Sequence, residues 1–101
     1  MDIEVNAIGN SINAKLVGAI TEGDSKKLKT GFDQLRDASS TNVIIDLTHV
    51  PTISSSGIGK LIALYRRVKE QKREFEVHGI HENLYALFTS IHLDKLFIIK
   101  K

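Results

Sequence analysis

Asn42-Val43-Ile44-Ile45-Asp46-Leu47 leads through a loop holding the chain's only proline, Pro51, into Ser54-Ser55-Ser56-Gly57-Ile58-Gly59, and this passage decides the fold. Val43-Ile44-Ile45 is apolar and β-branched without alternation, the pattern of a central strand covered on both faces. Serine and glycine then open a helix running to about Gln71, with Ile58, Leu61, Ile62, Tyr65 and Val68 recurring on one side. Strand, loop, helix is the unit of an α/β sheet. In such sheets the loops at the carboxyl ends of the strands are where ligands and partners engage.

Working outward, residues 2–8 alternate polar and apolar as a half-buried strand does. Gly9-Asn10 suits a tight hairpin because both residues accept positive φ, and Ile12, Ala14 and Leu16 continue as a second strand toward Ile20. Thr21–Ser25 is a turn in which Asp24 or Ser25 is placed to cap a helix over 25–38, with Leu28, Phe32, Leu35 and Ala38 on its inner face. Beyond the central helix, Glu74–His78 alternates as a fourth strand. Asn83–Ile91 carries Leu84, Leu87, Phe88 and Ile91 at helical spacing, and Leu96–Ile99 reads as a short last strand. The predicted order is β-β-α-β-α-β-α-β: an α/β domain with a mostly parallel sheet, one antiparallel hairpin at its start and about three helices.

The 101 residues make one domain, 1–101, without repeats or linkers. No cysteine is present, so disulfides and thiolate metal sites are excluded and a reducing compartment is the natural setting. The start Met-Asp-Ile-Glu lacks a signal-peptide pattern, and no apolar run approaches the ~18–20 residues that span a bilayer. The expected location is the cytoplasm. Net charge is only +2, although Lys60, Arg66, Arg67, Lys69, Lys72 and Arg73 cluster. With no recognition-helix or RNA-stacking motif beside them, these cations read as a solvated helix face and not as a nucleic-acid site.

The turn Ser54–Gly59 carries the chemistry. A helix needs one N-cap, and serine is among the best residues for it, so three in a row leave two without that duty. Gly57 and Gly59 each cost about 1 kcal/mol relative to alanine in a helix, which calls for bare backbone, for a partner's approach or for tight packing. The turn is not a phosphate-binding loop: Gly59-Lys60 matches the middle of that motif, but Ser54 and Leu61 occupy its first and last fixed positions. Lys60 and the helix N-terminus leave only a weak anion or nucleotide site. Nor is it a nucleophile elbow, which needs Gly-x-Ser-x-Gly. His49, His78, His81 and His92 are too scattered for a metal site, and His49 alone falls near the turn as a base. No cofactor is expected.

Ile44-Ile45-Asp46-Leu47-Thr48-x-Val50, five further residues, then Ser56-Gly57-Ile58-Gly59 resembles the signature of STAS domains, the anti-sigma-factor antagonists and their relatives. The resemblance extends along the chain, through Gly18 after the second strand and Asn83, Leu93 and Phe97 near the end. It implies a non-catalytic module that binds an anti-sigma factor doubling as a serine kinase. It also implies that Ser55, first of the Ser-Ser-Gly pair, is the phosphoacceptor, with Thr21, Ser54, Ser56, Gly57, Ile58 and Gly59 against the partner. Two positions depart from the family pattern. Ser54 stands where Asp is usual, and Gly18-Ala19-Ile20-Thr21 stands where Gly-Glu-(Leu/Ile)-Asp is common. The alternatives these departures raise are a subunit of a stressosome-like assembly or an ABC lipid-transport complex, or a STAS domain that binds nucleotide or lipid. Oligomeric state is left open, since the opening hairpin offers an edge for pairing.

Overall fold

The computed structural model describes residues 1–101. Five strands, β1 (Asp2–Ile8), β2 (Ser11–Val17), β3 (Asn42–His49), β4 (Glu74–His78) and β5 (Ile98–Lys100), form one sheet in the order β1-β2-β3-β4-β5. The β1–β2 hairpin is antiparallel and every later pair is parallel. Helices α1 (Ser25–Asp37), α2 (Ser55–Glu70) and α3 (Glu82–Ser90) make the three crossovers. The element order and the mixed sheet are those predicted.

One expectation about β3 is overturned. It was to be covered on both faces, yet only alternate residues, Val43, Ile45 and Leu47, are buried, while Ile44 and Asp46 on the other face are half-buried. The reason is topological. Each parallel strand lies next to its predecessor, so crossovers of one hand stack all three helices on a single face. That face buries Ile12, Ala14 and Leu16 from β2 and Phe75 and Val77 from β4 with the apolar sides of the helices. The opposite face is uncovered, and a cross-strand row, Glu4–Lys15–Asp46–His78–Lys100, keeps it hydrated with charges of mostly alternating sign.

Other boundaries shift for local reasons. β2 stops at Val17 because Gly18 turns the chain with φ +97°. The last strand starts two residues later than expected, after a 3-10 turn at Leu93–Lys95 that carries Phe97 into the aromatic cluster with Tyr65, Phe75 and Phe88. On α2 the buried residues are Gly57, Leu61, Leu64 and Val68, with Ile58, Ile62 and Tyr65 half-buried beside them. On α3, Leu84 and Phe88 face the core, while Leu87, and Ile91 just past the helix end, stay partly exposed.

Arg73 also corrects the sequence reading. Far from joining a solvated cationic face, it is buried. Its guanidinium donates to the carbonyls of Leu35, Arg36 and Ser40 and to Gln71 Oε1, filling acceptors that the end of α1 leaves without helical partners.

Candidate functional site

Two loops that are far apart in sequence meet at the carboxyl end of β3. Gly18 N–H donates to the His49 carbonyl at 2.9 Å, Ile20 N–H to the Thr52 carbonyl at 2.9 Å, and Ser54 N–H to the Ile20 carbonyl at 2.8 Å. Ile20 and Ile53 thereby form an isolated parallel bridge, a short extension of the sheet beyond β2 and β3. This lacing holds Thr21–Asp24 against the start of α2.

The three serines divide the local work. Ser54 is the N-cap of α2: its backbone is extended, and Ser54 Oγ accepts the Gly57 N–H at 3.1 Å. Ser56 Oγ donates to Glu22 Oε2 at 2.7 Å and lies 3.3 Å from Ser54 Oγ. Ser55 is exposed on the first residue of the helix, and its hydroxyl has no hydrogen-bond partner within the chain. Glu22 was not singled out from the sequence. It sits one residue beyond the Gly18–Thr21 stretch, and only the lacing of the loops brings it to the serines.

The glycines divide too. Gly57 is buried, and a Cβ there would fall 2.8 Å from Ile53 Cγ1 and 3.0 Å from Ile20 Cγ2, so its bare backbone serves the packing of α2 over the bridge. Of the two uses the sequence offers for its bare backbone, a partner's approach or tight packing, this position supplies the packing. Gly59 is exposed and a Cβ would meet nothing within 4 Å, so packing does not explain it. Ile58 is half-buried, touching the core while keeping part of its side chain at the surface.

Thr21 is exposed, and both its N–H and Oγ–H donate to Asp24 Oδ2, at 2.8 and 3.0 Å. The Thr21 N–H bond is the main cause that holds the Asp24 carboxyl below its ordinary range. Asp24 does occupy the N-cap position of α1, but its carboxylate turns back to Thr21 and makes no side-chain cap bond. Lys60 is half-buried and lines a surface groove with Lys29, Phe32 and Asp33, between α2 and α1. No cavity is lined by Ser54, Ser55 or Ser56. His49 is exposed at the end of β3 and bonds to none of the serines. No three of the His, Asp and Glu side chains gather where they would hold a metal ion.

Beside the turn, Pro51, Thr52 and Ile53 line a shallow groove with Leu84 and Leu87 of α3. Leu87 keeps 38% of its surface exposed there, an apolar side chain at the margin of the site that sequence periodicity assigned to the core.

The family model for the STAS domain matches residues 2–101. The anti-sigma-B factor antagonist of Listeria monocytogenes serovar 1/2a is 24% identical over 89 residues, covering 88% of this chain and 78% of that protein. Among solved structures, an anti-sigma factor antagonist from Mycobacterium paratuberculosis superposes with a TM-score of 0.89 at 20% identity, covering 98% of this chain and 84% of the other. The Bacillus cell fate determinant SpoIIAA in its phosphorylated form does so with a TM-score of 0.68 at 14% identity, over 99% of this chain and 92% of that one.

Proposed function

The chain belongs to the STAS domain family, and from that premise we propose a non-catalytic regulatory module that binds an anti-sigma factor doubling as a serine kinase and releases it when Ser55 is phosphorylated. The observation that carries this reading is the division of labour among the serines. Ser54 is spent on the cap and Ser56 on Glu22, which leaves Ser55 exposed and unbonded at the head of α2. The similarity to antagonists of sigma-factor regulators, and a fold neighbour known in a phosphorylated form, support it.

Phosphate on Ser55 would add about −1.5 to −2 charges at pH 7. The N-terminus of α2, whose first turn holds no acidic residue, favours that charge by roughly 0.3–1 kcal/mol, so the fold tolerates the modification. A partner packed on Ser55, Ile58 and Gly59 does not. Mispairing a buried charge in an interface typically costs about 2–5 kcal/mol, a loss of roughly 30-fold or more. Ser54 in place of the usual Asp leaves this arrangement intact, because serine and aspartate cap a helix about equally well. Thr21 and Glu22 form the second rim of the surface. Catalysis has no support in the geometry, since a serine nucleophile needs a base in hydrogen-bond reach and Ser55 has none. The absence of a cavity at the serines likewise favours a protein over a nucleotide. The cytoplasm is the proposed setting; no helix is long and apolar enough to cross a membrane.

The test is affinity capture with wild-type, Ser55→Ala and Ser55→Asp baits. Wild type and Ser55→Ala should retain an anti-sigma factor with a kinase domain, and Ser55→Asp should lose it by about 30-fold or more at unchanged thermal stability. Undiminished capture by Ser55→Asp, or its unfolding, would overturn the switch.

A further inference from the structure

Two adjoining surface cavities of about 200 and 230 Å³ share Phe32, Asp33 and Ala63, and so form one continuous trough between α1 and α2. Its floor is apolar: Phe32 and Leu64 are buried beneath it, and Ala63 lies between. Its walls are cationic. Lys29 and Arg36 rise from α1, Lys60 and Arg67 from α2. On each helix the two cations stand seven residues apart, which is two turns and about 10.5 Å, so the walls match in length. The α1 cations are already engaged: Lys29 Nζ lies 2.9 Å and Arg36 Nη1 3.2 Å from Asp33, the one carboxylate in the lining, and Arg36 Nε lies 2.9 Å from Asp37. Lys60 has no ionic partner, and Arg67 has only a loose one, 3.7 Å to Glu70.

We propose that this trough docks an acidic amphipathic segment of the protein partner, its apolar side chains on the Phe32–Ala63 floor and its carboxylates on Lys60 and Arg67. Charge complementarity selects the sign, and the apolar floor selects the class. A nucleic-acid backbone satisfies the cations but gains nothing from a Phe32–Leu64 floor, whereas an amphipathic helix or strand uses both. The proposal rests on the interaction-module reading and adds the chemistry of the partner. Ser55 begins the same helix five residues before Lys60, about 7.5 Å along the axis and about 140° around it, so one partner reaches both by wrapping the head of α2. A phosphate on Ser55 would then also repel the acidic segment.

The probe is a synthetic, dye-labelled peptide of glutamate and leucine at amphipathic helical spacing, titrated by fluorescence anisotropy against the full chain. It is compared with a leucine-to-serine version and with a single-stranded oligonucleotide of equal charge. The acidic amphipathic peptide should bind, and its affinity should fall about tenfold between low and moderate salt. Lys60→Glu combined with Arg67→Glu should weaken it by about tenfold or more at unchanged thermal stability. If the reversed charges disturb folding, Lys60→Gln with Arg67→Gln should show a smaller loss in the same direction. Equal binding of the serine version, tighter binding of the oligonucleotide, or indifference to the cation substitutions would each overturn the proposal. If the peptide fails while Ser55→Asp still abolishes partner capture, the trough falls and the switch stands. If the peptide binds but Ser55→Asp changes nothing, the reverse holds.

Discussion

Ser56 Oγ donates to Glu22 Oε2 at 2.7 Å, a bond between residues 34 apart in the chain that ties the loop after β2 to the first turn of α2. A carboxylate thus stands at the rim of the serine turn, although the stretch Gly18-Ala19-Ile20-Thr21 holds none. The bond exists because Ile20 pairs with Ile53 and carries the following turn alongside the serines.

Removing this tie should loosen the site more than the fold. Glu22→Ala should cost less than about 1 kcal/mol in chemical denaturation, as exposed polar contacts do. Amide hydrogen exchange should quicken at Thr21–Asp24 and at the start of α2, and nowhere in β3 or β4.

The serines should separate by stability. Ser54→Ala, which deletes the N-cap of α2, should cost about 1 kcal/mol, and Ser54→Asp should restore it. Ser55→Ala should fall within about 0.5 kcal/mol of wild type, because its hydroxyl bonds to nothing in the chain. Urea denaturation of the three variants checks this ordering.

Gly57→Ala and Gly59→Ala should move in opposite directions. Alanine gains helix propensity at both, by about 1 kcal/mol. At position 57 the new methyl meets Ile53 and Ile20, and overpacking of this kind typically costs about 1–3 kcal/mol, so the variant should be destabilised on balance. At position 59 it meets open space and should stabilise. If a partner's backbone lies on Gly59, that more stable variant should bind more weakly, which affinity capture would read directly.

Arg73→Met should destabilise the domain by about 2–3 kcal/mol, since it removes charged hydrogen bonds from the Leu35, Arg36 and Ser40 carbonyls and leaves those of Leu35 and Ser40 unpaired, while Arg36 keeps its bond from Gln71 Nε2. Thermal melts should show a drop of about 8–24 °C, at the 4–8 °C per kcal/mol of a domain this size.

On the uncovered face of the sheet, the His78 bond, at 2.7 Å to Glu76 Oε1, and the Lys100 ammonium at 3.1 Å hold the Glu76 carboxyl below its ordinary range. A carboxyl depressed by folding stabilises the folded state above its unfolded pKa and loses that contribution as pH falls through the folded one. Wild type should therefore lose stability as pH drops below about 4.5, the ordinary value for glutamate, and Glu76→Gln should flatten that part of the profile. The effect should be modest, because these side chains are partly exposed and screened. Denaturation midpoints measured across acidic pH check it.

Much of the architecture was legible in periodicity. The alternation in residues 2–8, the 3.6-residue recurrence of Leu28, Phe32 and Leu35, and the β-branched run Val43–Ile45 each reflect the geometry of a single element, so they survive in one dimension. The turn Ser54–Gly59 stood out for the same reason: capping chemistry and glycine cost are local. Periodicity failed where the neighbour decides. Leu87 has core spacing but reaches the margin of a groove, and Ile44 belongs to an apolar run but lies on the uncovered face. Arg73 looked like one more surface cation and instead fills the carbonyls at the end of α1.

The sequence by itself determined the order of elements, the place of the helix start and the family to which the signature belongs. Only the tertiary structure decided which serine is free. Three adjacent hydroxyls are chemically alike. Ser54 finds a local partner in the Gly57 N–H, but Ser56 is taken up only because long-range pairing brings Glu22 across the bridge, and Ser55 is left with none. The physical reason is range. Propensity and capping act over a few residues, whereas burial and hydrogen-bond partners depend on which strands the crossovers set side by side.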